Sequence, residues 1–225
     1  MKLAKPHFDV AVMTDQAEPM LRFWQDAVGL DYEEALPTGG GNMQHRHGVN
    51  GSVFKLNHSR NGLPDTPRTG IAELWIARED ATGTRTLTDP DGNVVHVVPP
   101  GTKGVTGVAV RIVGRDAEAM CAFYRDDLEL EEVAPRTFRC GDSLVFVDEE
   151  PDAPQDVDFL GRGFRYLTIQ VFDCEAEHAR ILAGGGREGM PPRRMGDVAV
   201  FSMVKDPGGN FVEISQRGSL TGSLD

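Results

Sequence analysis

Charged and hydrogen-bonding side chains cluster in one predicted hairpin, and their types are suited to chemistry. Two alternating segments flank Asn50-Gly51, a dipeptide typical of two-residue hairpin turns. With that turn, Arg46 faces Lys55 and Gln44 faces Asn57, so one face carries two cations and two amides. Arg46 beside Lys55 is suited to binding a carboxylate or an enolate. A buried Lys55 near carboxylates could also act as an acid or base.

Two histidines, His45 and His47, alternate on the first strand of this hairpin. Histidines at alternate strand positions share a face and can ligate a metal ion together. With the two-residue turn they lie opposite Lys55, whereas a three-residue loop shifts the register and brings them to the same side. We favour the first register, in which they form a polar strand face, and retain both as candidate pocket residues.

The elements that position these residues come from a repeat within the chain. The segment 23–30 recurs at 123–130, and the segment 88–96 recurs at 205–213. Two unrelated matches in the same order indicate two similar halves. We therefore predict a first domain at 1–100, a second at 105–217 and a tail at 218–225, with a linker rich in Pro and Gly between the domains.

Each half begins with an alternating strand and an amphipathic helix, and further short strands follow. In the first strand, His7 and Asp9 share one face while Phe8 and Val10 occupy the other. The pattern predicts an α+β fold of four β-α-β-β-β modules. The second module is truncated, because only about ten residues separate Ala77 from the repeated turn at Asp89, too few for a helix plus a strand.

Composition narrows the class of partner. The chain has 225 residues with 23 Lys and Arg against 35 Asp and Glu, a net charge of −12. This balance argues against binding to nucleic acid or anionic membranes, since both are polyanions. No apolar run reaches the length of a membrane span. Three scattered cysteines show no metal-binding spacing, and we expect a cytoplasmic protein, monomeric or homodimeric, whose partner is a small molecule.

The repeated motifs resemble those of the vicinal-oxygen-chelate superfamily, which includes glyoxalase I, extradiol dioxygenases and bleomycin-resistance proteins. The resemblance is carried by a strand and helix ending in Phe-Trp/Tyr at 23–24 and 123–124, and by Asp-Pro-x-Gly-Asn at 89–93 and 206–210. It implies paired modules that form curved mixed sheets around a cavity. It also implies one divalent metal, Fe, Mn, Ni or Zn, held from the first and last strands of each module.

The resemblance assigns the ligand positions to particular residues of this chain. In the first half they fall on Asp9, Lys55, Ile71 and His96, with His7 on the face of Asp9 and Glu73 on the face of Ile71. In the second half they fall on Gly107, Phe146, Tyr166 and Glu213, which we take as a structural partner. The candidate metal ligands are therefore His7, Asp9, Glu73 and His96. The alternative is a metal-free cavity in which Lys55 pairs with Asp9 or Glu73.

Two functions follow from this resemblance. The first is an enzyme with its site in the first-half cavity, acting on a small oxygenated substrate by isomerase, lyase or dioxygenase chemistry. Its candidate catalytic residues are Lys55, Arg46 and Tyr166, and its candidate pocket residues are His45, His47, Asn57, Trp75 and Glu213. The second is a metal-free protein that binds or sequesters a small molecule, similar to the bleomycin-resistance members. A weaker third is an inactive partner subunit.

Overall fold

The computed structural model describes residues 1–224, which form two multi-stranded sheets with a few short helices. The helices are α1 (Ala17–Arg22), α2 (Ala117–Ala122), α3 (Cys174–Gly184) and α4 (Gly218–Thr221). The strands are β1 (Leu3–Thr14), β2 (Asp31–Gly39), β3 (Asn42–Val49), β4 (Ser52–Ser59), β5 (Ile71–Ala77), β6 (Arg85–Thr88), β7 (Val94–Val98), β8 (Val108–Gly114), β9 (Glu131–Ala134), β10 (Thr137–Cys140), β11 (Ser143–Glu149), β12 (Gly163–Val171), β13 (Arg187–Met195), β14 (Ala199–Lys205) and β15 (Phe211–Arg217).

The repeated aromatic pairs form matching local structures. Helices α1 and α2 each continue into one π-helical turn, Phe23–Ala27 and Phe123–Asp127. Each turn directs a fully buried aromatic ring inward, Trp24 against Phe54 in the first repeat and Tyr124 in the second. These rings anchor the helices to the sheets by burial of apolar area. None of the helices between residues 1 and 224 has the length and apolar character needed to cross a bilayer.

The sheets do not follow the division of the sequence into halves. The eight-stranded sheet has the order β13-β14-β15-β12-β1-β4-β3-β2, and the seven-stranded sheet has the order β6-β7-β5-β8-β11-β10-β9. The first module therefore shares a sheet with the fourth, and the second with the third. The sequence predicted a cavity formed within the first half alone. Each inner sheet face is instead assembled from both halves.

The repeated Asp-Pro-x-Gly-Asn turns connect the two sheets reciprocally. Asn93, in the turn before β7, accepts a hydrogen bond from the Phe164 backbone N–H at the start of β12 (3.2 Å). Asn210, in the turn before β15, accepts one from the Gly70 backbone N–H just before β5 (2.5 Å). Each asparagine is held by the aspartate that opens its own turn, Asp89 or Asp206. The motif therefore has a structural role.

The predicted fold class is confirmed, including the truncated second module, which consists of β5, β6 and β7 without a helix. The two-residue turn is also observed, with positive φ at Asn50 (49°) and Gly51 (81°). Arg46 pairs with Lys55 in this hairpin, as that turn predicts. Strands β2, β6, β9 and β13 were not predicted from the sequence, and all four lie at sheet edges. The predicted tail contains α4, and its last residue, 225, lies outside the described range.

Candidate active site

The polar side chains of the eight-stranded sheet gather on one of its faces. In β1 the residues Phe8, Val10 and Val12 pack into the main core with Trp24, while Asp9 alternates with them on the other face. That other face carries buried or partly buried polar side chains on four adjacent strands, β4, β1, β12 and β15, and they include the charged residues Lys55, Asp9 and Glu213. Buried charges are costly unless they are paired or hydrogen-bonded, so their concentration marks a candidate functional site.

Lys55 lies at the centre of this face and is only 5% exposed. Its Nζ donates a hydrogen bond to Thr168 Oγ1 at 2.6 Å and lies 3.4 Å from Glu213 Oε1. Thr168 is opposite Glu213 in the β12–β15 ladder, so the register alone brings both partners to one place. The contact joins the first module to the last. The ion pair of Lys55 with Asp9 or Glu73 that was considered from the sequence does not form.

Asp9 has a different cationic partner. Its carboxylate accepts a hydrogen bond from Lys5 Nζ at 2.6 Å and another from the Val53 backbone N–H at 2.8 Å. The carboxylate is therefore satisfied without Lys55, although both lie on the same face. Lys5 was not a candidate in the sequence analysis, because it lies two strand positions before His7, outside the recognised alternation.

Arg46 and Asn57 complete the wall on β3 and β4. Asn57 accepts a hydrogen bond from Gln44 (2.9 Å), and Gln44 accepts one from Arg46 Nη1 (3.2 Å). Arg46 Nε lies 3.3 Å from the carboxylate of Glu34 but is buried without a well-directed hydrogen-bond partner. Arg46 therefore has an ionic partner in Glu34 but no aligned acceptor for its Nε–H, and an acceptor on a ligand would complete its hydrogen bonding.

Arg217, at the end of β15, adds a second guanidinium close to Arg46. Burial and then the positive charge of Arg46 lower the pKa of Arg217, while Glu213, Asp9 and Glu34 oppose that shift. We call this set the Lys55 site; its charged members are Lys5, Arg46, Lys55 and Arg217 against Asp9, Glu34 and Glu213. These members leave a surplus of one positive charge, in a chain whose net charge is −12.

Tyr166 closes the side of the Lys55 site next to β12. Burial and the nearby Glu213 carboxylate raise the pKa of Tyr166 above its usual range, so its phenol stays protonated near neutral pH. Asn57 Nδ2 donates to the phenol oxygen at 3.4 Å, and the Phe159 ring stacks against the Tyr166 ring at 5.6 Å. The predicted residues Lys55, Arg46, Asn57, Tyr166, Asp9 and Glu213 are therefore brought together.

A second polar group lies on the seven-stranded sheet. His96 Nε2 is 3.2 Å from Glu73 Oε2, and the Trp75 indole N–H donates to the same carboxylate oxygen at 3.1 Å. Arg111 approaches the other Glu73 oxygen at 3.6 Å. The predicted residues Glu73, Trp75 and His96 are therefore together, but on a different sheet from Asp9 and Lys55.

The remaining sequence candidates lie outside both groups. His7 lies within β1 with its ring against Gly51 and its Nδ1 3.9 Å from the Asp142 carboxylate. His45 and His47 face away from Lys55, as the two-residue turn requires, so their place in a pocket with Lys55 is wrong. His47 is buried against Phe54, and burial lowers the pKa of His47 to about 4.

The residues present do not fit the divalent metal that the resemblance implies. The four predicted ligands are divided between two sheets, and the described residues contain no group of three or more His, Cys, Asp or Glu side chains that could hold a metal ion. At the Lys55 site an ammonium lies beside Glu213, where a cation would otherwise bind. A protonated lysine cannot donate a lone pair, and its charge repels a second cation.

Thr168 and Arg217 are site residues that sequence reasoning missed. Thr168 lies two residues after Tyr166 and Arg217 four residues after Glu213, so each shares a strand face with a residue predicted for the site. The strand period of two was a sufficient signal for both. The resemblance drew attention to one position per strand and left their neighbours on the same face unexamined.

Two sheets of paired modules, each with polar side chains on one face, form the fold that was compared with known proteins. Residues 107–214 match the sequence model of the Glyoxalase/Bleomycin resistance protein/Dioxygenase superfamily. The resemblance to the vicinal-oxygen-chelate superfamily is thereby confirmed for the second half of the chain, and the solved structures below share the fold of the whole chain. A comparison with curated proteins finds no match.

Solved structures with this fold differ widely from the chain in sequence. A mutant of glyoxalase I from Zea mays gives a TM-score of 0.76 at 12% identity, covering 100% of this chain and 96% of that chain. A putative dioxygenase from Bacillus subtilis gives 0.67 at 13% identity, covering 96% and 86%. The cppA protein from Streptococcus pneumoniae gives 0.60 at 9% identity, covering 93% and 97%. At these identities the likeness shows the fold alone.

Proposed function

We propose that the protein is an enzyme of this superfamily that acts on a small oxygenated anion at the Lys55 site by proton transfer, of the isomerase or lyase type. The observation that carries the proposal is the buried Lys55 ammonium, held 2.6 Å from Thr168 and 3.4 Å from Glu213. In such a pair the ammonium can stabilise developing negative charge, while the adjacent carboxylate accepts a proton.

The two arginines supply the recognition. Arg46 has a buried Nε without a well-directed acceptor, and Arg217 makes no ion pair within 4.0 Å among residues 1–224. A carboxylate or enolate placed between them would satisfy these donors, and guanidinium groups are suited to such planar anions. The substrate would enter where the site meets solvent, beside the half-exposed Glu34 carboxylate.

The proposed chemical step needs only residues of this chain. Glu213 takes a proton from the carbon next to the substrate carbonyl, and the C–H electron pair forms a C=C bond. The carbonyl π electrons move to oxygen, and Lys55 with the arginines stabilises the resulting enolate. The oxygen electron pair then re-forms the carbonyl, and the C=C pair takes the proton back from Glu213 at the same carbon, which inverts that carbon when the proton returns to the other face. In a substrate with a leaving group on the next carbon, the C=C pair instead forms a new C=C bond as that group departs with its bonding pair and the Glu213 proton. The protonated Tyr166 phenol remains as a hydrogen-bonding wall.

Deuterium exchange tests this step without knowledge of the true substrate. Small 2-oxo acids, beginning with pyruvate, are incubated with the protein in D2O, and exchange at the carbon next to the carbonyl is followed by NMR. We expect protein-dependent exchange that falls about 100-fold in Lys55→Met, as when one donor to an oxyanion is removed. Glu213→Gln should reduce it by at least as much.

Matched controls separate this effect from general damage. Lys2, whose ammonium lies over the Phe172 ring, and the exposed Glu188 lie outside the site. Lys2→Met and Glu188→Gln should leave exchange unchanged. If Glu213→Gln exchanges as fast as Glu188→Gln, the proposed role of Glu213 is wrong.

A second candidate function is binding without turnover. Lys55, Thr168 and Glu213 satisfy one another, and Phe159 covers Tyr166, which favours a rigid enclosed site. Calorimetry with the same 2-oxo acids separates the two functions. Binding that is lost in Lys55→Met, in a parent protein that gives no deuterium exchange, would favour a protein that sequesters its ligand.

A further inference from the structure

A separate cleft lies on one face of the seven-stranded sheet, whereas the Lys55 site lies on the eight-stranded sheet. Its volume is about 390 Å³, within the range of small-molecule pockets. We call it the Trp75 cleft; it is lined by Glu73, Trp75, His96, Lys103, Arg136 and Phe146, among others.

The walls of the Trp75 cleft are aromatic. The His96 ring stacks on the Trp75 indole, with ring centroids 4.1 Å apart and planes at 29°. Phe146 meets the same indole edge-on, at 6.3 Å and 84°. Phe146 is only partly buried, so its ring remains accessible from the cleft. The two rings therefore form an aromatic corner, and a flat apolar ligand can lie against the accessible Phe146 ring beside the indole.

The charges at the back of the cleft already satisfy one another. Arg111 donates to Asp148 and to Glu150, both at 2.6 Å, and approaches Glu73 at 3.6 Å. Burial lowers the pKa of Arg111, but its hydrogen bonds to Asp148 and Glu150 raise it more, so the guanidinium stays charged. These groups therefore fix the shape of the wall rather than offering a free charge.

The two cations at the mouth of the cleft, Lys103 and Arg136, have weaker ionic partners than Arg111. Lys103 Nζ lies 4.5 Å from the centroid of the Trp75 ring, and no carboxylate lies within 4.0 Å of it among residues 1–224. The exposed Arg136 guanidinium has one carboxylate within 4.0 Å among residues 1–224, that of Glu149 at 3.8 Å. An ammonium resting on an indole face is held weakly and can pair with an incoming anion.

We propose that the Trp75 cleft binds a flat aromatic carboxylate, with its ring beside Trp75 and Phe146 and its carboxylate paired with Lys103 and Arg136. This site is independent of the proposed function of the Lys55 site. The aromatic side chains supply the contact area for the ligand ring, while the two cations at the mouth favour a ligand with negative charge.

Calorimetry with two matched probes tests the proposal. One probe is 2-naphthoate, and the other is 2-naphthylmethylamine, which has the same ring system and the opposite charge. We expect one naphthoate per chain, weaker binding as ionic strength rises, and much weaker binding of the amine. Lys103→Met should weaken naphthoate binding about fivefold, since an exposed ion pair contributes little. Phe146→Ala should weaken it by about tenfold.

Two variants show where the probe binds. Lys2→Met removes an ammonium that also lies 4.5 Å from an aromatic ring, and it should leave naphthoate binding unchanged. Lys55→Met should likewise leave it unchanged. Equal binding of the amine and the naphthoate would overturn the proposal, as would the absence of naphthoate binding. Loss of binding in Lys55→Met but not in Lys103→Met would also overturn it, because the probe would then occupy the other site.

Discussion

The Lys55 ammonium lies 3.4 Å from the Glu213 carboxylate, and 158 residues of chain separate the two. Lys55 belongs to the last strand of the first module, and Glu213 to the last strand of the fourth. Only β1 and β12 lie between their strands in the sheet. The pair therefore depends on the sharing of one sheet by the outermost modules of the sequence.

Removing one member of this pair should destabilise the protein strongly. The side chains are 6% and 13% exposed, so Lys55→Met leaves a largely buried carboxylate without its cation. We expect a loss of about 3 kcal/mol in the free energy of unfolding, measured in urea. The double variant Lys55→Met with Glu213→Gln should lose less than the sum of the two single variants.

The control for this prediction is the exposed pair of Arg22 and Glu18, whose atoms are 3.7 Å apart. Arg22→Gln should cost no more than about 0.5 kcal/mol. Additive losses in the Lys55–Glu213 double variant would show that the pair contributes no coupling.

The protein should contain no stoichiometric divalent metal when it is purified without chelator. The Lys55 ammonium occupies the cationic position beside Glu213, and His96 and Asp9 are on different sheets. Elemental analysis of the parent and of His96→Ala should therefore give the same low content of iron, manganese, nickel and zinc. Near-stoichiometric metal that is lost in His96→Ala would contradict this reading of the site.

Stability should decrease as pH falls from 6.5 towards 4, in part because of His47. Burial lowers the pKa of His47 to about 4, against 6.5 for a free histidine. Between these values the unfolded chain binds the proton and the folded chain does not, so acid favours unfolding. Urea unfolding at several pH values should show a shallower decrease in His47→Asn. His58→Asn is the control, and an equal change of slope in both variants would count against a special role of His47.

The asparagines that connect the two sheets should contribute to stability in similar amounts. Asn93 and Asn210 each accept a hydrogen bond from the other sheet and donate to an aspartate of their own turn. Replacing either by alanine leaves buried groups unpaired, and we expect a loss of about 1–3 kcal/mol in thermal or urea unfolding. Asn61→Ala, which removes an exposed bond to the Gly40 carbonyl, should change stability little. A loss in Asn61→Ala as large as in Asn210→Ala would contradict this explanation.

Local features of the fold were predictable because their causes are local. Asn50-Gly51 takes positive φ at both positions, which fixes a two-residue turn and places Arg46 opposite Lys55. The aromatic pairs at 23–24 and 123–124 mark the ends of matching helices. The proximity of Lys55 to Arg46 and Asn57 could be predicted because it depends only on the register of one hairpin.

Module pairing was not predictable, because the repeated modules offer chemically similar edges to each other. Nothing in β1 alone distinguishes β12 from β5 as its neighbour, so Glu73 and His96 were placed with Asp9. The edge strands β2 and β13 were also missed, since β2 is exposed along nearly its whole length and β13 contains two prolines. An edge strand tolerates both features and shows no alternation in the sequence.

The interleaving of modules has a consequence for synthesis on the ribosome. The seven-stranded sheet uses residues 71–149, a contiguous segment, and can assemble as soon as that segment has emerged. The first module emerges earlier but finds its partner strand β12 only near the end of translation. During that interval β1, twelve residues long, presents an open edge to other nascent chains. The strand that carries Asp9 therefore stays unpaired along one edge until β12 has been made.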